Sequence, residues 1–131
     1  MRLTLKDDLP FVRITVSYQD AEIEILDVLL DTGSATTILS ADQVARIGIV
    51  PKPSDTLYTI RGVGGTETVF TRRIAQIRIG QRKVRDFEIK VGGMDYGFAI
   101  QGILGMDFLL QAGAIINLRD LSLGFASRSI A

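Results

Sequence analysis

Residues 28–40 read VLLDTGSATTILS: three aliphatic residues, then an aspartate, a threonine, a glycine and a serine, then a return to apolar side chains. Upstream, from Ala21, the pattern alternates at Ile23 and Ile25 and becomes nearly all apolar through Leu30, as a strand does on entering an interior. Such a strand delivers Asp31 to the end of a core element. A carboxylate there is costly unless hydrogen-bonded or paired, so this position calls for a chemical reason.

Working outward, Val12, Ile14, Val16 and Tyr18 alternate with polar residues between Phe11 and Tyr18, which predicts a half-buried strand joined to the next by a turn at Gln19–Asp20. On the other side, SADQVARIGI (40–49) predicts one short helix capped by Ser40 and ended at Gly48, with Pro51 and Pro53 marking a loop. LYTIRGVGGTETVF (57–70) predicts a hairpin with a glycine-rich tip at Gly62, Val63, Gly64 and Gly65, able to serve as a flap. A second pair of strand patterns spans 72–91 about Gly80–Lys83, with Phe87, Ile89 and Val91 on one face. Its arginines and lysines read as a solvated sheet face rather than a phosphate site. After the loop GGMDYG (92–97), GILGMDFLLQAG (102–113) reads as a strand leading into a short helix, and AIINL (114–118) and LSLGF (121–125) as final strands. The whole is one mostly β domain, 1–131, with two short helices.

Composition narrows the chemistry. Fifteen cationic and fifteen acidic side chains leave no net field to hold a polyanion, so nucleic acid is not an expected partner. The most apolar stretch, 98–116, approaches bilayer length but is interrupted by Gln101, Asp107 and Gln111, so it reads as core and no membrane partner is expected. The N-terminal decapeptide MRLTLKDDLP has no apolar run of signal-peptide length, which gives an expectation of a cytoplasmic protein. With no cysteine and no histidine, thiolate nucleophiles, Ser-His-Asp machinery and Cys or His metal sites cannot be built from the chain. Catalysis would rest on carboxylates. A Ser-Lys pair is disfavoured by the polar or strand-edge setting of Lys6, Lys52, Lys83 and Lys90. The glycines of GVGGTET are followed by no lysine, and no G-x-G-x-x-G follows a strand in a βαβ setting, so phosphate-loop readings fail.

Three features occur together: an apolar strand running into DTGS, a glycine-rich hairpin some thirty residues on, and GILGMDFL near the C-terminus. In this combination the chain resembles the single-domain, retropepsin-type aspartic proteases, a group that includes retroviral proteases and the protease domain of ubiquitin-shuttle proteins. The resemblance runs from about Phe11 to Phe125. It implies a closed, barrel-like β fold with a flap hairpin. Carried over motif by motif, it makes Asp31 the catalytic carboxylate, Thr32 the hydroxyl that ties two active-site loops together, and Gly33 the residue that lets backbones approach. Gly105 is then packed under the catalytic loop, and Asp107 is structural, hydrogen-bonding near that loop or an interface. Asp7, Asp8, Asp20 and Asp42 are left as solvated surface residues.

Only one DTG is present, so the resemblance implies a homodimer with a two-fold axis between two Asp31 carboxylates. Two carboxylates side by side cannot both ionise, and they share one proton, as is known for aspartic-protease dyads. The implied reaction is hydrolysis of a peptide or protein substrate by a water held on the dyad, with no metal and no cofactor. The substrate lies extended under the flap. Ser34 stands where retroviral members commonly have alanine. Its hydroxyl either donates to the outer oxygen of Asp31 and tunes the acid side of the pH profile, or caps the local turn. The tail ASRSIA is small and polar, so the interdigitated terminal sheet of retroviral dimers is not assumed, and LSLGF is the substitute dimer strand. The rival reading is a catalytically silent peptide-binding or dimerisation module with the same fold. A purely structural domain would leave Asp31 unexplained.

Overall fold

The computed structural model describes residues 1–62, 65–94 and 99–127, with backbone only at 61, 62 and 65. In chain order the elements are β1 (Thr4–Lys6), β2 (Leu9–Tyr18), β3 (Ala21–Leu30), β4 (Ile38–Ser40), α1 (Ala41–Ala45), β5 (Tyr58–Gly62), β6 (Gly65–Ile79), β7 (Arg82–Gly92), β8 (Gly102–Leu104), α2 (Met106–Ala112), β9 (Ala114–Asn117) and β10 (Ser122–Phe125). The main sheet runs β1-β2-β3-β8-β4-β7-β6-β5, and a further pairing of β2 with β6 closes the stretch from β2 round to β6 on itself. This is the barrel-like closure expected of the fold. Closure leaves the strands of that stretch few free edges and gives them an enclosed side.

The hairpins follow from local chemistry. Asp7–Asp8 and Gln19–Asp20 both take positive φ, at 52° and 61° and at 46° and 65°, the two-residue geometry that matches strand twist. In β3 the phase of the apolar residues slips between Ile25 and Val28. The structure absorbs the slip in a bulge: Val12 pairs with Val28 but Ile14 with Ile25, so Leu26 and Asp27 stand opposite Arg13. Asp27 has φ 57°, and Leu26 is 53% exposed. The run is therefore not buried throughout. The bulge turns Val28 and Leu30 into the main core and leaves Leu29 on the other face.

The main core gathers Ile14, Val16, Ile25, Ile74, Ile77, Ile89, Leu104 and Phe108, with Phe108 of α2 edge-on to Phe87 at 6.1 Å. A second apolar cluster lies on the opposite face of β3, β4 and β8. It contains Phe11, Ile38, Met94 and Ile100, with Leu29, Ile60 and Ile103 packed against it.

Several expectations are corrected. One continuous strand, β6, serves both hairpins, pairing with β5 through Val69 and with β7 from Phe70 onward. The helix after Ser40 ends at Ala45, followed by a tight turn to Gly48 at φ 89°, and Ser40 makes no side-chain cap bond. Arg72 is not solvated: it is 8% exposed and its Nη2 donates to Asp55 Oδ2 at 2.7 Å and to the Val50 carbonyl at 3.1 Å, anchoring the segment ahead of β5. Phe98, like residues 95–97 of the preceding loop, lies outside the described residues, and from 99 to 116 the apolar stretch carries β8, α2 and part of β9. Finally, β10 is flanked on both sides within its own chain. It pairs with β9, while Leu3 N–H donates to Leu121 O (2.8 Å) and Leu123 N–H to Met1 O (2.7 Å). A dimer strand built from LSLGF would have to give up those bonds.

Candidate active site

The site is where two chain segments meet end to end. β3 and β8 run parallel, with Leu30 beside Leu104, and the pairing extends one step further as Asp31 N–H donates to Leu104 O at 3.0 Å. Asp31 thus leaves the sheet at a fixed point. The chain then turns tightly: Ser34 N–H bonds Asp31 O at 3.2 Å, and Gly33 N–H donates to Asp31 Oδ1 at 2.9 Å, which orients the carboxylate. A Cβ on Gly33 would sit 3.2 Å from that same oxygen. Asp31 is half-buried while Thr32 and Gly33 are exposed, so the loop offers its acid and its hydroxyl to the outside.

The second segment, Gly105 and the first turn of α2, lies directly under this loop. A Cβ at Gly105 would be 2.3 Å from the Thr36 carbonyl oxygen and 2.9 Å from that of Ser34, a contact only glycine allows. Met106 N–H donates to Ser34 O at 2.8 Å and Asp107 N–H to Ala35 O at 3.2 Å. Two of the unpaired donors of the helix start are therefore satisfied by the active-site loop, and a third, Phe108 N–H, by Asp107 Oδ1 at 2.7 Å. Asp107 holds the loop a third way, accepting Thr37 Oγ1–H at 2.7 Å on Oδ1 and Thr37 N–H at 3.1 Å on Oδ2. Thr37 Oγ1 in turn accepts Gly105 N–H at 3.1 Å.

Asp31, Thr32, Gly33, Ser34, Gly105 and Asp107 are thus brought into one place. Thr37, 0% exposed and central to the network, was missed by sequence reading. A threonine between a turn and an apolar run carries no signal until its partner at 107 is known. Of the flap positions, Gly62 and Gly65 face each other across β5 and β6, while Val63 and Gly64 lie outside the described residues.

The hydroxyl of Ser34 donates to Thr36 O at 2.7 Å, the turn-capping role, and not to Asp31. Replacing Ser34 by alanine leaves a half-buried carbonyl short of a donor, costing about 1 kcal/mol, or roughly 4 °C in melting temperature. The acid limb of the pH–rate profile is expected to stay where it is. Thermal melts and cleavage of one peptide across pH check this, and an acid limb displaced at unchanged stability would restore the tuning role.

Comparison with known proteins fits this geometry. The fold is shared with a retropepsin-like aspartic protease from Rickettsia conorii, at a TM-score of 0.67 and 19% identity, covering 93% of this chain and 94% of that one. It is shared also with EIAV protease, solved with the inhibitor HBY-793, at a TM-score of 0.61 and 24% identity, covering 88% of this chain and 98% of that one. A search of the curated proteins finds no match. Residues 16–111, well over half of the chain and spanning both halves of the Asp31 site, match the family model described as "gag-polyprotein putative aspartyl protease", and the chain belongs to that family.

Proposed function

We propose that the protein is an aspartic endopeptidase, active as a homodimer in which each subunit contributes one Asp31. The observation that carries this reading is the half-site itself: one carboxylate, oriented by Gly33 N–H, on a loop whose Thr32 and Gly33 are exposed in the single chain. Two such loops related by a two-fold axis would set the carboxylates side by side and let the Thr32 hydroxyls tie the loops together.

In the reaction, the ionised carboxylate takes a proton from a water as its oxygen attacks the scissile carbonyl carbon, and the protonated carboxylate gives its proton to the carbonyl oxygen. The resulting tetrahedral diol collapses when the amide nitrogen is protonated and the C–N bond breaks, leaving a free carboxyl and a free amine. An extended peptide beneath the β5–β6 hairpin would add a strand to it. The half-buried Leu29, Ile60 and Ile103, on the face away from the main core, favour an apolar substrate side chain near the cleaved bond.

Because each chain holds half of the dyad, specific activity should fall on dilution as dimers dissociate. Digestion of a mixed peptide pool at a series of enzyme concentrations, with sedimentation at each, checks both points. A fully active monomer would overturn the dimer. A dimer that cleaves nothing between about pH 3 and 8 would favour the peptide-binding module.

A further inference from the structure

Glu67 lies on β6 directly across from Ile60 of β5, so the two side chains share one face of that hairpin. Ile60 packs into the second apolar cluster, and Glu67 reaches the same place by another route: its Oε1 accepts the Met94 N–H at 2.7 Å. Met94 itself buries its side chain in that cluster, with Leu29 and Ile103 from the strands that position Asp31.

Two further features agree. A Cβ at Gly92 would stand 2.7 Å from Glu67 Oε1 and 2.9 Å from its carboxyl carbon, so glycine there makes room for the carboxylate. Met94 also has φ 59°, a strained conformation for a residue with a Cβ, and its N–H reaches Glu67 Oε1. Open space, strained backbone and a short charge-assisted bond converge on one carboxylate.

We propose that Glu67 is a positioning residue: its bond to Met94 clips the β5–β6 hairpin to the segment after β7 and so fixes Ile60 and Met94 in the apolar cluster beside the Asp31 strand. That the cluster receives substrate rests on the protease reading; the clip does not. Without the clip, Met94 has less reason to hold its left-handed conformation, and the cluster it shares with Ile60 loosens.

Hydrogen exchange at the Met94 amide reads the clip without any catalysis. Glu67→Ala should speed that exchange about tenfold or more, as expected for loss of a bond to a charged group. Glu67→Gln, which keeps an acceptor oxygen at the same reach, should restore most of the protection. Gly92→Ala, which drives a methyl into the carboxylate and to 3.0 Å from Val69 Cγ1, should mimic Glu67→Ala, and the double variant should be no worse than Gly92→Ala alone. For peptides with a large apolar side chain at the cleaved bond, KM should rise several-fold with kcat changing less, because the cluster and not the dyad has moved. Exchange at Met94 unchanged by Glu67→Ala, a Gln variant no better than Ala, or additive effects of the 67 and 92 substitutions would each overturn the clip. A responsive Met94 in a protein that cleaves nothing would sink the protease reading alone, and an unresponsive Met94 in an active enzyme the clip alone.

Discussion

Asp31→Asn is expected to lower peptide cleavage by about a thousandfold or more while leaving the fold in place, because it removes both the base and the acid of the proposed dyad at once. The structure gives the reason that stability should survive. The carboxylate's one described bond is acceptance of Gly33 N–H on Oδ1, and an amide oxygen of the same shape can still accept it. The side chain is half-buried, so the change should cost no more than about 0.5 kcal/mol. Mixing is a sharper form of the experiment. Excess Asp31→Asn chain added to wild type should suppress activity, since a mixed dimer holds a single carboxylate. Wild-type turnover by the variant would end the protease reading. Failure of the excess variant to suppress wild type, with exchange of subunits verified, would end the dimer.

What the sequence made legible was what repeats with a period or matches a motif. Alternation in 11–18 and 72–91 announced strands, and the DTG and ILG motifs announced two loops that the structure brings into contact. Less visible was anything settled by a partner distant along the chain. The slipped phase of EILDVLL looked like simple burial, yet it marks a bulge, because the register is set by β2 and not by β3 alone. β4 is three residues long and pairs with β7 and β8, so its neighbours are supplied by the fold and no local pattern betrays it. Arg72 carried the same letter as the exposed arginines nearby, and the approach of Asp55 and of the Val50 carbonyl makes its burial tolerable. Thr37 and Glu67 were overlooked for the same reason: their partners, Asp107 and Met94, lie 70 and 27 residues away.

Gly105→Ala should be among the most damaging single-atom additions to this protein. The new methyl carbon would be 2.3 Å from the Thr36 carbonyl oxygen and 2.5 Å from the carbonyl carbon, and both are backbone atoms that no rotamer change can move aside. Relief requires the start of α2 to back away from residues 34–36, and that strains or breaks the bonds from Met106 N–H to Ser34 O and from Asp107 N–H to Ala35 O. It also pulls on the Gly105 N–H bond to Thr37 Oγ1, the hinge of the Asp107 network. Overpacking of this kind costs about 3 kcal/mol, enough to lower the melting temperature by roughly 10 °C or more. The same displacement reaches the chemistry, because residues 34–36, which lose the support of α2, belong to the loop that aims Asp31. A shift of about 1 Å in a reacting group is enough to cost on the order of a hundredfold in rate, so residual folded protein should be slow as well as unstable. Thermal unfolding together with kcat measured well below the variant's own melting point separates the two effects. Wild-type stability and turnover in Gly105→Ala would mean that the two loops are not in the contact described, and the support assigned to Gly105 would have to be withdrawn.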